Sequence, residues 1–296
     1  MKHSRTQYIF EHIGLFSTTV AKVKNDQSNK IREDTVVGII NGTIPNEWFS
    51  DPQWNKLRIN LFKYLHNITD YQQVVAKKMA GRGHHCDFAI CFTKTTGENI
   101  IKNIEWKYGA KKVDECPQWV SPMKPSQYLT NSFEEFYYNN YLHRIVAPDE
   151  KPPLETYLKE IHGDKPKCMA KYQLAYYKGA KGSSKYTGDE QDIEYCKMCK
   201  SISDEAIQTF ISQTELNVEK LNDYLYNTQM DKIYMCCKDS EIYMDIPNKD
   251  DYTINMDTIT KTKNQYIGTT LSGRQIKILL RWKNGNGIAF PAFQIK

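Results

Sequence analysis

The sequence predicts an α/β fold: a mixed central β-sheet flanked by helices, with an irregular insertion or second lobe. Three observations carry this. Three extended runs, at 71–79, 85–92 and 99–108, stand between segments whose apolar residues recur at helical spacing. A stretch from Lys151 to about Gly188 is broken by Pro152, Pro153, Gly163, Pro166, Gly179 and Gly182, and has no regular period. The last segment alternates again and contains an Asn-Gly pair, the strongest short hairpin signal.

Taken in order, residues 4–24 read as a helix with Tyr8, Ile9, Ile13, Leu15 and Phe16 on its apolar side. A looser stretch follows, with turn signals at Asp26-Gln27-Ser28-Asn29 and Asn41-Gly42. Asp51-Pro52 starts a second helix, an acidic cap with proline at the first helical position, and Trp54, Leu57, Ile59, Leu61, Phe62 and Leu65 then repeat at helical spacing. Thr95-Thr96-Gly97-Glu98 is a compact turn between the second and third extended runs. A helix is expected over 125–142, another over 202–225, and extended chain over 232–245. Arg274–Trp282 runs through Asn284-Gly285-Asn286-Gly287 into Ile288-Ala289-Phe290 as a hairpin. The expected division is a helical N-terminus plus core at 1–150, an insertion or nucleic-acid-binding lobe at 151–270, and a terminal hairpin at 271–296 that can rejoin the core sheet.

Composition bounds the function classes. With 296 residues and 40% hydrophobic content, the chain can build one substantial core or two modest ones. A mean hydropathy of −0.65 and 25% charged residues place it among globular proteins. No run of about 18 apolar residues is present, so neither a membrane span nor a membrane partner is expected. The apolar start, Tyr8-Ile9-Phe10, is too short for a secretory signal. An intracellular location is therefore expected, cytoplasmic, or nuclear in a eukaryotic or viral setting. The net charge of +5 is compatible with a polyanionic partner without requiring one.

Chemistry concentrates in the hairpin. Side chains on a strand alternate faces, so Glu105 and Lys107 share a face that Ile104 and Trp106 do not. In the preceding strand Asp87 lies opposite in sense to Phe88, Ile90 and Phe92. A turn centred on Thr96 sets Asp87 directly across from Glu105. Like charges so placed are destabilising. A Mg²⁺ ion, which prefers oxygen ligands and is bound by one or two carboxylates, resolves the conflict. Lys107 beside them suits stabilisation of charge on a phosphate.

Gly83-His84-His85-Cys86-Asp87 followed by Glu105-Trp106-Lys107 resembles the PD-(D/E)XK nuclease superfamily, the restriction-endonuclease-like fold, over roughly residues 50–145. The resemblance implies Asp87 and Glu105 as Mg²⁺ ligands, with Mn²⁺ as a substitute, and Lys107 as the catalytic lysine. It implies an endodeoxyribonuclease acting on double-stranded DNA, sequence-specific in the manner of type II restriction enzymes. By analogy with symmetric duplex cutting, a homodimer is expected. Cys86 stands where the family often has proline. Members often add an acid from the preceding helix; the helix over 52–67 offers none, which leaves Glu11 and Glu47 open. The alternatives are a repair, recombination or RNA-processing nuclease of the same fold, and a non-catalytic zinc-containing nucleic-acid-binding protein.

Arg82, His84 and His85 beside the Asp87 strand, Lys111 and Lys112 after the Glu105 strand, and Lys178, Lys181 and Lys185 in the Lys/Tyr-rich stretch are the candidate nucleic-acid contacts. Each also fits a solvated surface. Of eight cysteines, Cys196 and Cys199 form a CxxC pair and Cys236 and Cys237 a second pair. Together they offer a tetrahedral Zn²⁺ site, although the second pair lacks the usual two-residue gap.

Overall fold

The computed structural model describes residues 8–17, 25–79, 84–116, 118–119, 124–163, 169, 171–172, 174, 190–284 and 286–296. In chain order its longer elements are α1 (Asn25–Ile40), α2 (Pro52–Ile68), β1 (Gln73–Lys78), β2 (Phe88–Thr93), β3 (Asn99–Tyr108), β4 (Gln118–Trp119), α3 (Phe133–Asn140), α4 (Leu154–Glu160), α5 (Glu190–Gln213), α6 (Val218–Gln229), β5 (Lys232–Lys238), β6 (Glu241–Asp245), β7 (Ile254–Thr262), β8 (Gln265–Thr270), β9 (Gln275–Asn284) and β10 (Ala289–Ile295). They fall into two units: residues Met1–Cys116 with Asn227–Asn248, and Pro117–Tyr226 with Lys249–Lys296.

The first unit is built on a five-stranded mixed sheet of order β1-β2-β3-β5-β6. β1, β2 and β3 form an antiparallel meander, β5 runs parallel to β3, and β6 returns antiparallel. The β2–β3 turn closes through Gly97 N–H to Lys94 O at 2.9 Å, with Gly97 at φ 84°, a conformation that favours glycine. The β5–β6 turn uses Asp239 and Ser240, both at positive φ, as two-residue hairpins require. Strand alternation then gives the sheet one apolar face. Ala76, Phe88, Ile90, Phe92, Ile104, Trp106, Met235 and Cys237 belong to one buried cluster with Val36, Ile39 and Ile40 of α1 and Trp54, Leu57, Leu61 and Leu65 of α2. α2 starts as its sequence dictates: Asp51 Oδ1 accepts from Gln53 N–H at 2.9 Å and Trp54 N–H at 3.1 Å.

The second unit has an antiparallel sheet of order β4-β10-β9-β8-β7. Phe133 packs on Phe210 and Trp282, and Tyr137 meets Trp282 edge-on at 5.1 Å. Among the described residues, no helix is long and apolar enough to cross a membrane.

Several elements differ from the sequence reading. The expected helix over 4–24 is a 3-10 segment at Phe10–Phe16, and residues 1–7 and 18–24 lie outside the described residues. α1 occupies the stretch read as loose. Its polar first turns mask a helix whose last residues, Val36, Ile39 and Ile40, are buried. The expected helix over 202–225 is two helices. They part at Thr214–Asn217, where Leu216 forms a bridge with Leu129 and Asn217 Oδ1 caps α6 through Lys220 N–H at 3.0 Å. The terminal hairpin does not rejoin the first sheet: β9 pairs with β8, and β10 with β9 and β4, in the second. The unit boundaries lie at 116, 226 and 248 rather than at 150 and 270, because β5 and β6 complete the first sheet after a long excursion of the chain.

Candidate active site

Three strands deliver the candidate catalytic side chains. The β2–β3 register pairs Phe88 with Ile104 and Thr93 with Asn99, and Asp87, the residue before β2, bonds the β3 backbone on either side of Glu105. Asp87 N–H donates to Ile104 O at 3.0 Å and Met79 N–H donates to Asp87 O at 2.8 Å, which fixes the backbone there. Asp87 Oδ2 accepts from Trp106 N–H at 2.8 Å. Glu105 and Lys107 stand on the same face of β3, with Lys107 Nζ 2.5 Å from Glu105 Oε1. On the next strand Lys232, which is buried, reaches Glu105 Oε2 at 3.5 Å and donates to His85 O at 2.8 Å.

The electrostatics divide the two acids. Burial first, and the neighbouring Glu105 charge second, push the Asp87 carboxyl up to about 7, against the opposing Trp106 N–H and Lys107. Burial also disfavours charge on Glu105, but Lys107 and Lys232 outweigh it and hold Glu105 below the ordinary carboxylate range. Lys107 loses by burial and gains more from Glu105 and Asp87, so it stays above its usual value and cationic. Lys232 is shifted down, because burial outweighs the attraction of Glu105 and Lys107 repels it.

A third acid enters from α1. Glu33 raises the Asp87 carboxyl through its charge and pairs with Lys78 at 3.1 Å. Sequence reasoning left the helix-borne acid open between Glu11 and Glu47. The failure follows from reading α1 as loose chain. Asp231 and Lys232 were missed as well. They open β5, and the only signal was a charged dipeptide before an apolar run. Asp231 Oδ2 lies 2.5 Å from His85 Nε2 and accepts from Asn103 Nδ2 at 3.2 Å, so His85 is held at the edge of the site.

The other candidates scatter. His84 is exposed, and Lys111 and Lys112 are exposed beyond the end of β3. Arg82, Lys178, Lys181 and Lys185 lie outside the described residues. Of the zinc candidates, Cys236 and Cys237 do not form a ligand pair. Cys236 and Cys237 are consecutive on β5, so they take opposite faces: Cys237 packs in the helix-covered core and Cys236 with Val113 and Tyr234. They cannot serve as a ligand pair for one ion. Burial pushes the Cys199, Cys236 and Cys237 thiols up to about 12 and raises that of Cys196.

Asp87 and Glu105 fit a Mg²⁺ ion by their chemistry. They are paired oxygen ligands, and one of them resists ionisation without a counter-cation. Among the described residues, no group of three or more His, Cys, Asp or Glu side chains is close enough to hold an ion. A two-carboxylate site suits Mg²⁺, which keeps several waters. Comparison with protein-family models, with curated proteins and with solved structures found no match.

Proposed function

We propose that this chain is a Mg²⁺-dependent nuclease of the PD-(D/E)XK type that hydrolyses phosphodiester bonds of double-stranded DNA in a sequence-specific, restriction-like manner. The observation that carries the reading is the close approach of the Asp87 and Glu105 carboxyls, with Lys107 paired to Glu105 on the same face of β3. The order of elements in the first sheet supports it: a helix, three antiparallel strands and, after β4 and α3–α6, a strand parallel to the third.

In this reading Asp87 and Glu105 hold the ion, with Glu33 the nearby helix-borne acid. Bound there, Mg²⁺ supplies polarisation of a phosphoryl oxygen and an acidified water. Lys107, kept cationic by the two acids, stabilises the negative charge that develops on the phosphate. Lys232 is buried, so it acts on Glu105 and the His85 carbonyl rather than on substrate. His85, oriented by Asp231, borders the path of the sugar-phosphate backbone.

The test is incubation of the purified chain with several long duplex DNAs of known sequence, with and without Mg²⁺, beside Asp87→Asn and Lys107→Ala. Discrete Mg²⁺-dependent fragments that both variants fail to produce are expected. Cleavage by either variant at the wild-type rate overturns the site. Cutting confined to ends, branches or RNA replaces the restriction reading with repair or RNA processing.

A further inference from the structure

One sheet of this chain carries a marked excess of positive charge. Residues 254–296, which form β7–β10, hold seven lysines and arginines against a single acid, Asp257. That is a net charge of +6 in a chain whose total is +5; the other segment of comparable excess is 165–188, with six lysines and no acid.

The strands sort that charge onto a face. On β9, Ile276, Ile278, Leu280 and Trp282 are buried, while Lys277, Arg281 and Lys283 take the opposite side and the last two are exposed. The register sets Gln265, Ile267 and Thr269 of β8 on that same side. Lys296 pairs with Lys277 through two backbone hydrogen bonds of 2.8 and 3.0 Å. None of these positions is acidic. Two lysines directly across from each other oppose sheet formation, just as two carboxylates do. The Arg281 guanidinium is oriented, with Nη1 donating to Gln294 Oε1 at 2.8 Å. Alternate residues of a strand are ~6.8 Å apart, about two nucleotide steps of axial rise. Arg281 and Lys283 stand at that spacing, and Lys277 lies twice as far along the same row, beyond Leu279; the row presents cations that a phosphate backbone can follow, and the hydroxyl and amide groups beside it suit phosphate and sugar oxygens.

We propose that the outward face of β9, with Lys296 beside it, is a docking surface for the phosphate backbone of duplex nucleic acid. The proposal rests on the reading of this chain as a nuclease and assigns substrate binding to a sheet that carries none of the proposed catalytic residues.

The experiment uses the full-length Asp87→Asn chain, so that substrate survives, and a fluorescent 30-base-pair duplex. Binding is measured by anisotropy across a salt series, with and without the added changes Lys277→Gln, Arg281→Gln and Lys283→Gln. A control carries Lys56→Gln and Lys200→Gln instead. Loss of three phosphate contacts should flatten the slope of log K against log salt by about 2.7 and weaken low-salt binding roughly 10- to 100-fold. Lysine acetylation mapping needs no surface variant: duplex should protect Lys277, Lys283 and Lys296 and spare Lys56 and Lys200. A triple variant that matches the control in slope and affinity, or equal modification of Lys277, Lys283 and Lys296 with and without duplex, overturns the docking surface while leaving the nuclease reading intact. Failure of the Asp87→Asn chain to bind duplex, with binding to vesicles of anionic phospholipid instead, overturns both.

Discussion

Replacing Asp87 with Asn removes a carboxylate whose charge the fold resists. The side chain is half-buried beside Glu105, and its carboxyl titrates near 7 rather than at the ordinary aspartate value. The sign follows from the direction of the shift. Between roughly pH 4 and pH 7 the folded chain retains a proton that the unfolded chain has released, so stability falls as pH rises through that window and levels off above it. Each pKa unit corresponds to about 1.4 kcal/mol, which makes the penalty at neutral pH on the order of 2–4 kcal/mol. Asn removes the penalty and still accepts the Trp106 N–H through its amide oxygen. For a chain of this size that predicts a rise in Tm of about 5–10 °C. The assay is thermal unfolding in EDTA at pH 5 and pH 8 for wild type and Asp87→Asn. The variant should be the more stable at pH 8, and the gap should shrink towards pH 5. Saturating Mg²⁺ at pH 8 should then raise the wild-type Tm and leave the variant's nearly unchanged. Equal transitions at pH 8, or a gap that grows as pH falls, refute the argument that Asp87 is held against its charge.

Three further changes test other parts of the structure. Glu105→Gln leaves Lys107 and Lys232 without their shared carboxylate and should cost about 3–5 kcal/mol at pH 7 in chemical denaturation. Because the Glu105 pKa is depressed, that loss should disappear as pH falls below the ordinary glutamate range, the reverse of the Asp87 profile. Gly287→Ala sets a side chain at φ 75° against the Tyr137 hydroxyl and should destabilise the second unit by about 2–4 kcal/mol, read as a lowered unfolding midpoint. Asp51→Ala removes the cap of α2 and should cost about 1 kcal/mol by the same assay, without effect on cleavage.

The legible parts of the fold were those in which a local period and a turn agree. β2 and β3 could be placed because Thr95-Thr96-Gly97-Glu98 marks the turn and each strand has one apolar side, and the register observed is the one that a centre on Thr96 requires. α2 carried its own cap, proline and apolar stripe. α1 was invisible because its opening residues, Asn25-Asp26-Gln27-Ser28-Asn29, also describe a turn, and tertiary burial of Arg32 and Val36 holds it helical. Arg32 Nε donates to Leu15 O, and its guanidinium sits 3.4 Å from the centre of the Tyr108 ring, a contact that helical propensity does not encode. The terminal hairpin was recognisable, but its sheet was not, since β9 is apolar on one face in either sheet and only pairing with β8 decides between them.

The same distinction runs through the site. Asp87, Glu105 and Lys107 come from one hairpin, so strand parity and one turn suffice to assemble them. Lys232 joins them from a strand whose parallel pairing with β3 is closed only after the chain has traversed most of the second unit. No spacing rule spans such a connection. Its role follows from the imbalance it corrects: two facing carboxylates and one lysine would leave a net negative, poorly solvated cluster. Lys232 supplies the second ammonium, buried where water cannot do so. Glu105 is thereby held ionised and Asp87 is left to resist ionisation, so one acid is committed to charge before any ion arrives and the other becomes charged with it. If the proposed Mg²⁺ ion binds this pair, its affinity is expected to rise with pH up to about 7, where the proton that it displaces from Asp87 is lost anyway.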